Sequence, residues 1–268
     1  MELPALTAAP RLAALRSLGL LDTPAEESFD RLTRLAARTM RVPIALISLV
    51  EDERHFFKSC VGLAEPWATA RQRPLSHSFC QHVVASNMPL IIEDTRKDPL
   101  VQDNAAIVDL GVIAYAGMPL VTTAGQVVGS FCVIDTVPHS WSIEELALLH
   151  DFTAAAMTEI TLREREARLR AQYHAFPLPT YTWQHVAGEF IFIDYNAAAA
   201  ARFGHILARY PGMSASVIYE ALPEVQQHLS RCFAEQTTLS HELRYGTPQT
   251  GTVFDFIVTY VHIAPDWS

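Results

Sequence analysis

No glycine or proline interrupts the sequence between Pro138 and Pro177. Ser142 and Glu145 have the spacing of a capping box near the start of this stretch, with Trp141 and Leu146 placed as a hydrophobic staple. Together these features predict one helix of about thirty residues. Ile143, Leu146, Leu149, Phe152, Ala156 and Ile160 give its first half an apolar stripe. Its second half carries Arg163-Glu164-Arg165-Glu166, Arg168 and Arg170, too polar for a globular core. That half reads as a solvated linker helix that pairs with a copy of itself, although its heptad is weak. A helix that leaves one core and continues through solvent divides the chain. The expected organisation is a first domain over 1–162, a long helix and linker over 142–176 that overlaps its end, and a second domain over 177–268. A chain of 268 residues suits two small cores better than one large one.

The first part opens with two helices over residues 11–40, interrupted at Gly19 and the Asp22-Thr23-Pro24 turn. Ile44 to Val50 is a strand buried on nearly both faces, and His55 to Cys60 returns beside it as a hairpin. Residues 61–77 have no periodicity. Ser78 and Gln81 predict a short capped helix that Asn87 and Pro89 end. Leu90-Ile91-Ile92 is a strand, and Asp98-Pro99 has the form of a helix start. Val112 to Leu120 and Gln126 to Ile134 are strands joined by a turn at 122–125.

Beyond Pro177 the pattern is strand, strand, helices, strand, strand. A hairpin turns at Ala187-Gly188, Asn196 caps an Ala-rich helix, Pro223 opens another, and Leu239–Tyr245 and Val253–Tyr260 are the closing strands. The fold class is therefore α+β, with two domains, each an antiparallel sheet flanked by helices, joined by a long helix.

Composition limits the function classes. The net charge of -9 disfavours nucleic acid as a partner. No apolar run approaches the roughly 18–20 residues that cross a bilayer, and no signal peptide is legible, so a cytoplasmic protein without membrane insertion is expected. The four cysteines, Cys60, Cys80, Cys132 and Cys232, form no Cys-x-x-Cys pair and read as free thiols. No phosphate loop, dinucleotide fingerprint or nucleophile elbow is present.

Several ordered motifs carry a family resemblance. Ser78-Phe79-Cys80-Gln81-His82, Ile92-Glu93-Asp94-Thr95 with Asp98-Pro99, Tyr115 to Leu120 and Gly129 to Asp135 resemble the GAF family over about residues 15–162. The likeness is closest to GAF domains at the front of bacterial histidine kinases and diguanylate cyclases. Residues 173–268 resemble the PAS family through Asp194-Tyr195-Asn196, the helix to Gly204 and the closing strand pair. Four strands are legible where a PAS sheet has five. These resemblances imply a sensory input and relay region of a signal-transduction protein, not itself an enzyme, that senses a small molecule or redox state and signals through a homodimer. A ligand-free dimerisation scaffold is the alternative. A GAF-type free methionine sulfoxide reductase using Cys60, Cys80 and Cys132 is a further one.

The ligand-binding candidates are Phe79, Cys80, His82, Asp94, Tyr115, Met118 and Cys132. Cys80 near a helix start is placed for a lowered pKa, but a free cysteine is equally a small buried hydrophobe. Asp94 could bond an effector's amines or cap a turn, and Tyr115 and Met118 could line a pocket or pack. His77, Cys80 and His82 lack a fourth ligand for a metal, and a lone His228 is thin support for haem. No cofactor is assigned.

Overall fold

In the structure, a computed structural model describing residues 4–246 and 253–263, the chain divides into two units, Met1–Arg168 and Leu169–Ser268. The first begins with helices α1 (Ala9–Ser17) and α2 (Glu27–Met40) and the hairpin β1 (Ile44–Val50) and β2 (Arg54–Val61). One turn of helix, α3 (Trp67–Ala70), leads to the edge strand β3 (Gln72–Pro74). Helix α4 (Cys80–Ser86), strand β4 (Leu90–Ile92), helix α5 (Ala105–Leu110) and strands β5 (Ala114–Val121) and β6 (Val127–Asp135) follow, and the unit ends within α6 (Ile143–Ala175). The six strands form one antiparallel sheet in the order β3-β2-β1-β6-β5-β4.

Both faces of this sheet are covered, which is why β1 and β6 are buried along their whole length. Alternation sends successive side chains to opposite faces. Ile47, Leu49, Phe131 and Val133 join Phe29 and Ala36 of α2 and Leu149, Ala156 and Ile160 of α6 in one core. Leu46, Tyr115, Cys132 and Ile134 join Cys80 and Val83 of α4 and Ala106 of α5 in a second core on the other face. Each large aliphatic side chain so buried contributes about 1.5–3 kcal/mol, enough to hold the first half of α6 on the sheet. Arg163 of α6 pairs with Glu26, and the buried Lys58 pairs with the same carboxylate.

The expected capping box at α6 forms in both directions. Glu145 N donates to Ser142 Oγ at 3.2 Å, and Ser142 N donates to Glu145 Oε2 at 2.8 Å. Two local expectations fail. Asp98-Pro99 opens only a turn, in which Leu100 N donates to Asp98 Oδ1, and the helix begins at Ala105 under an Asn104 cap. The aperiodic segment 61–77 contains β3, too short and too polar to show alternation.

The second unit contains β7 (Tyr181–Val186), β8 (Glu189–Tyr195), α7 (Ala197–Leu207), α8 (Ala215–Ile218), α9 (Pro223–Glu235), β9 (Leu239–Gly246) and β10 (Val253–Tyr260). The β7–β8 turn has positive φ at both Ala187 and Gly188, the backbone a tight two-residue hairpin needs. The four expected strands are present, but as two separate hairpins, β7–β8 and β9–β10, rather than one sheet. The outer side of β8 is occupied by a loop: Phe192 N donates to Met213 O, and Gly212 N donates to Phe192 O, each at 2.9 Å. Residues 264–268 lie outside the described residues. Among those described, no helix is long and apolar enough to cross a membrane.

Candidate functional site

Under the α4 and α5 side of the sheet lies a cavity of about 20 Å³, room for one water molecule. Its polar groups come from four strands and a helix. His55 of β2, Arg73 of β3, Tyr115 of β5 and Cys132 of β6 meet Cys80 at the start of α4, and Phe79 lies beside it. Ser78 Oγ accepts from Gln81 N at 3.2 Å, which fixes the α4 start and points Cys80 inward. Gly117 leaves space for the Tyr115 ring, because a Cβ there would overlap it. That ring stacks on Phe79 with centroids 5.3 Å apart.

The two thiols face each other, Sγ to Sγ at 3.8 Å. Tyr115 Oη donates to Cys80 Sγ at 3.4 Å and lies 3.3 Å from Ser130 Oγ. The hydrogen bond between the two thiols pulls the Cys80 pKa well below the ordinary value against the opposing effect of burial; His55 and Tyr115 assist. Cys132 is pushed well above its ordinary value by the same hydrogen bond and by burial. The pair thus holds one proton more tightly than the other. Burial keeps the Tyr115 hydroxyl protonated.

Arg73 and His55 were not among the sequence candidates. Arg73 is 2% exposed, and its Nε, Nη1 and Nη2 have no hydrogen-bond partner. Its guanidinium lies 3.9 Å from the Trp67 ring centroid. Such a desolvated stack returns about 2 kcal/mol against a burial cost of several kcal/mol for an unpaired ion. Burial accordingly lowers the Arg73 pKa, with Asp109 opposing. His55 Nδ1 lies 3.2 Å from Ser48 Oγ, while Nε2 is buried and unpartnered. The available signal was alternation in His55-Phe56-Phe57, which puts His55 and Phe57 on one face. Arg73, among Arg71, Gln72 and Pro74, carried none.

Of the sequence candidates, Phe79, Cys80, Tyr115 and Cys132 meet at the cavity. His82 is half-buried on α4, where burial lowers its pKa. Asp94 is bonded to Arg96 and paired with Lys97 in a turn. Met118 packs in the core on the opposite face of the sheet. His77 is bonded to Asp109 at 2.9 Å, and among the described residues no three His, Cys, Asp or Glu are grouped to hold a metal. His228 stacks on His241 at 3.8 Å. Cys60 is half-buried in β2, where burial raises its pKa.

The GAF domain family matches residues 24–160. The chain belongs to the GAF family. A cyclic di-GMP phosphodiesterase of Pseudomonas aeruginosa is 35% identical to this GAF protein over 156 residues, 57% of this chain and 26% of the relative. The chain thus spans about a quarter of that relative's length. By its name the relative is an enzyme, which overturns the expectation that the chain is not one. Two solved GAF domains are also similar. One is from an Acinetobacter phosphoenolpyruvate-protein phosphotransferase (16% identity, TM-score 0.42, 62% of this chain and 99% of that one). The other is from Thermosynechococcus elongatus PixJ in its blue-light absorbing form (18% identity, TM-score 0.42, 62% and 94%). A GAF sensor domain of the kind found in signalling proteins is the shared reading.

Proposed function

We propose that this chain is the sensory and relay region of a bacterial signal-transduction protein. A small molecule or a redox change is read at the Cys80–Cys132 cavity and passed along α6 within a homodimer, toward a PAS-like unit and an output. The observation that carries this reading is the single strand β6. It presents Cys132 to the cavity and the adjacent Phe131 to α6, where Phe131 stacks on Phe152 at 6.2 Å. A displacement of one side chain in the cavity is therefore one residue from the helix. The Pseudomonas relative supports an output that acts on cyclic di-GMP.

The dimer is supported by a ridge along α6. Leu148, Ala155, Leu162 and Leu169 are exposed and recur every seventh residue, the repeat of one position of a coiled-coil heptad. The small cavity volume favours a second reading, a ligand-free dimerisation scaffold.

Native and denatured mass spectra of the purified chain, taken before and after hydrogen peroxide, test both readings. The sensory reading expects a dimer with either an adduct lost on denaturation or an oxidised form two hydrogens lighter. In the latter, Cys80 and Cys132 give up two protons and two electrons to peroxide, which leaves as water. Bare dimers that are unchanged by peroxide favour the scaffold. Leu162→Glu with Leu169→Glu is expected to yield monomers, and an intact dimer in that variant overturns the α6 seam.

A further inference from the structure

Arg73 and His55 are direct partners in the β2–β3 ladder, so their side chains share one face of the sheet, and both line the cavity. They are 2% and 4% exposed. Four nitrogens are unpartnered there: three on the guanidinium and Nε2 of the imidazole. An arginine remains charged in essentially any protein setting, and its planar fork matches the two oxygens of a carboxylate. Of the chain's own carboxylates near Arg73, Asp109 and Glu51 are engaged elsewhere, while Asp52 and Glu53 line the outer depression beside it. Asp109 bonds His77 at 2.9 Å, and Glu51 bonds Arg54 at 2.5 Å. The rest of the wall is apolar, including Leu46, Phe57 and Ile134. Such a wall disfavours a strongly hydrated dianion such as phosphate and suits a monovalent group with a hydrocarbon substituent.

Resting on the sensory reading of this cavity, we infer that its ligand is a small monocarboxylate, gripped by the Arg73 fork with His55 Nε2 as a further donor, its hydrocarbon part against the apolar wall. A route in is also present. Arg73 also lines, with Trp67, an outer depression of about 550 Å³, so it is the residue the two spaces share. The inner space of about 20 Å³ must widen to admit the substituent. The outer depression is lined by the one-turn α3 and by β3, a three-residue edge strand, along with the turn at 51–54. Short elements at a sheet edge open at low cost.

The test is thermal unfolding and calorimetric titration of the full chain with sodium propionate and with uncharged propionamide, at constant ionic strength. Propionate is expected to raise the unfolding midpoint in a saturating manner, and propionamide at the same concentrations to leave it unchanged. Arg73→Leu removes the unpaired charge, so without ligand it is expected to unfold no lower than the parent and to bind propionate at least tenfold more weakly. Arg73→Lys keeps the charge and loses the fork, and its binding is expected to be weakened even if the leucine variant fails to fold. Equal binding of propionamide, or undiminished binding by both variants, overturns the carboxylate assignment and leaves a small-molecule sensor. If propionate does not bind but native spectra still show an adduct, the carboxylate alone is overturned. The absence of both propionate binding and an adduct overturns the ligand reading as well.

Discussion

Gly117→Ala tests whether the cavity is built around one aromatic ring. A Cβ at this position would lie 2.8 Å from Tyr115 Cε1, 2.7 Å from Cζ and closer still to Oη. The ring cannot swing aside freely, because it is 1% exposed and stacks on Phe79, with its hydroxyl on Cys80. Overpacking of this kind costs about 1–3 kcal/mol, and each lost hydrogen bond adds about 1 kcal/mol. A destabilisation of about 2–3 kcal/mol follows for the first unit. With an m value of about 2 kcal/mol/M, the urea midpoint should fall by about 1–1.5 M. The second unit would blur a global probe, so the assay should be pulsed thiol labelling of Cys80 and Cys132 against urea, read by peptide mass. Both thiols are buried in the first unit. Tyr115→Leu in the same background should recover part of the loss, with a coupling of about 1–2 kcal/mol in the double-mutant cycle. Additivity within about 0.5 kcal/mol would refute the reasoning, since the two positions would then not share a space.

Two further outcomes follow from side chains that tie segments together. Asn196 is fully buried; its Nδ2 donates to Phe176 O and Leu178 O, and its Oδ1 accepts from Thr180 N and Ala199 N, all within 3.0 Å. Asn196→Ala should destabilise the second unit by about 2–4 kcal/mol, seen as faster amide exchange in α7 with the β1–β6 amides unchanged. His139 bridges Asp135 and Glu145 at 3.0 Å on each side. Burial opposes its protonation, but the two carboxylates prevail and its pKa is raised. The stabilisation is thus complete below the unfolded value of about 6.5 and lost as pH rises through the higher folded value. Midpoints of the first unit should fall across that interval, and His139→Gln should remove this slope; an unchanged slope would mean the bridge is not the source.

The sheet, the capped α6 and the hairpin at Ala187-Gly188 were legible because each rests on local chemistry. Strands buried on both faces read as continuous apolar runs, a capping box has fixed spacing, and a tight turn needs residues that tolerate positive φ. The thiol half of the cavity was legible for the same reason, since the Ser78 cap fixes where Cys80 points. Its cationic half was not. Arg73 resembles a solvated loop residue until the β2–β3 register carries it beside His55, and register across a three-residue edge strand leaves no periodic trace. Whether Met118 lines the pocket or packs was open because β5 is apolar on both faces, so only the β5–β6 pairing decides which side each residue takes. The joining of the four later strands into one sheet was likewise a matter of long-range pairing, and a loop took the edge of β8 instead.

The two cores on either side of the sheet are separated by one strand's thickness, and residue parity decides which core a side chain enters. On β6, Cys132 and Ile134 belong to the cavity side, and Phe131 and Val133 to the α6 side. Ligand preference and helix coupling are therefore written on alternate letters of the same short stretch. A lineage could retune one set by substitution while the other stayed constant, and a designer could exchange the even-numbered residues for those of another receptor without rewriting the contacts that drive the helix.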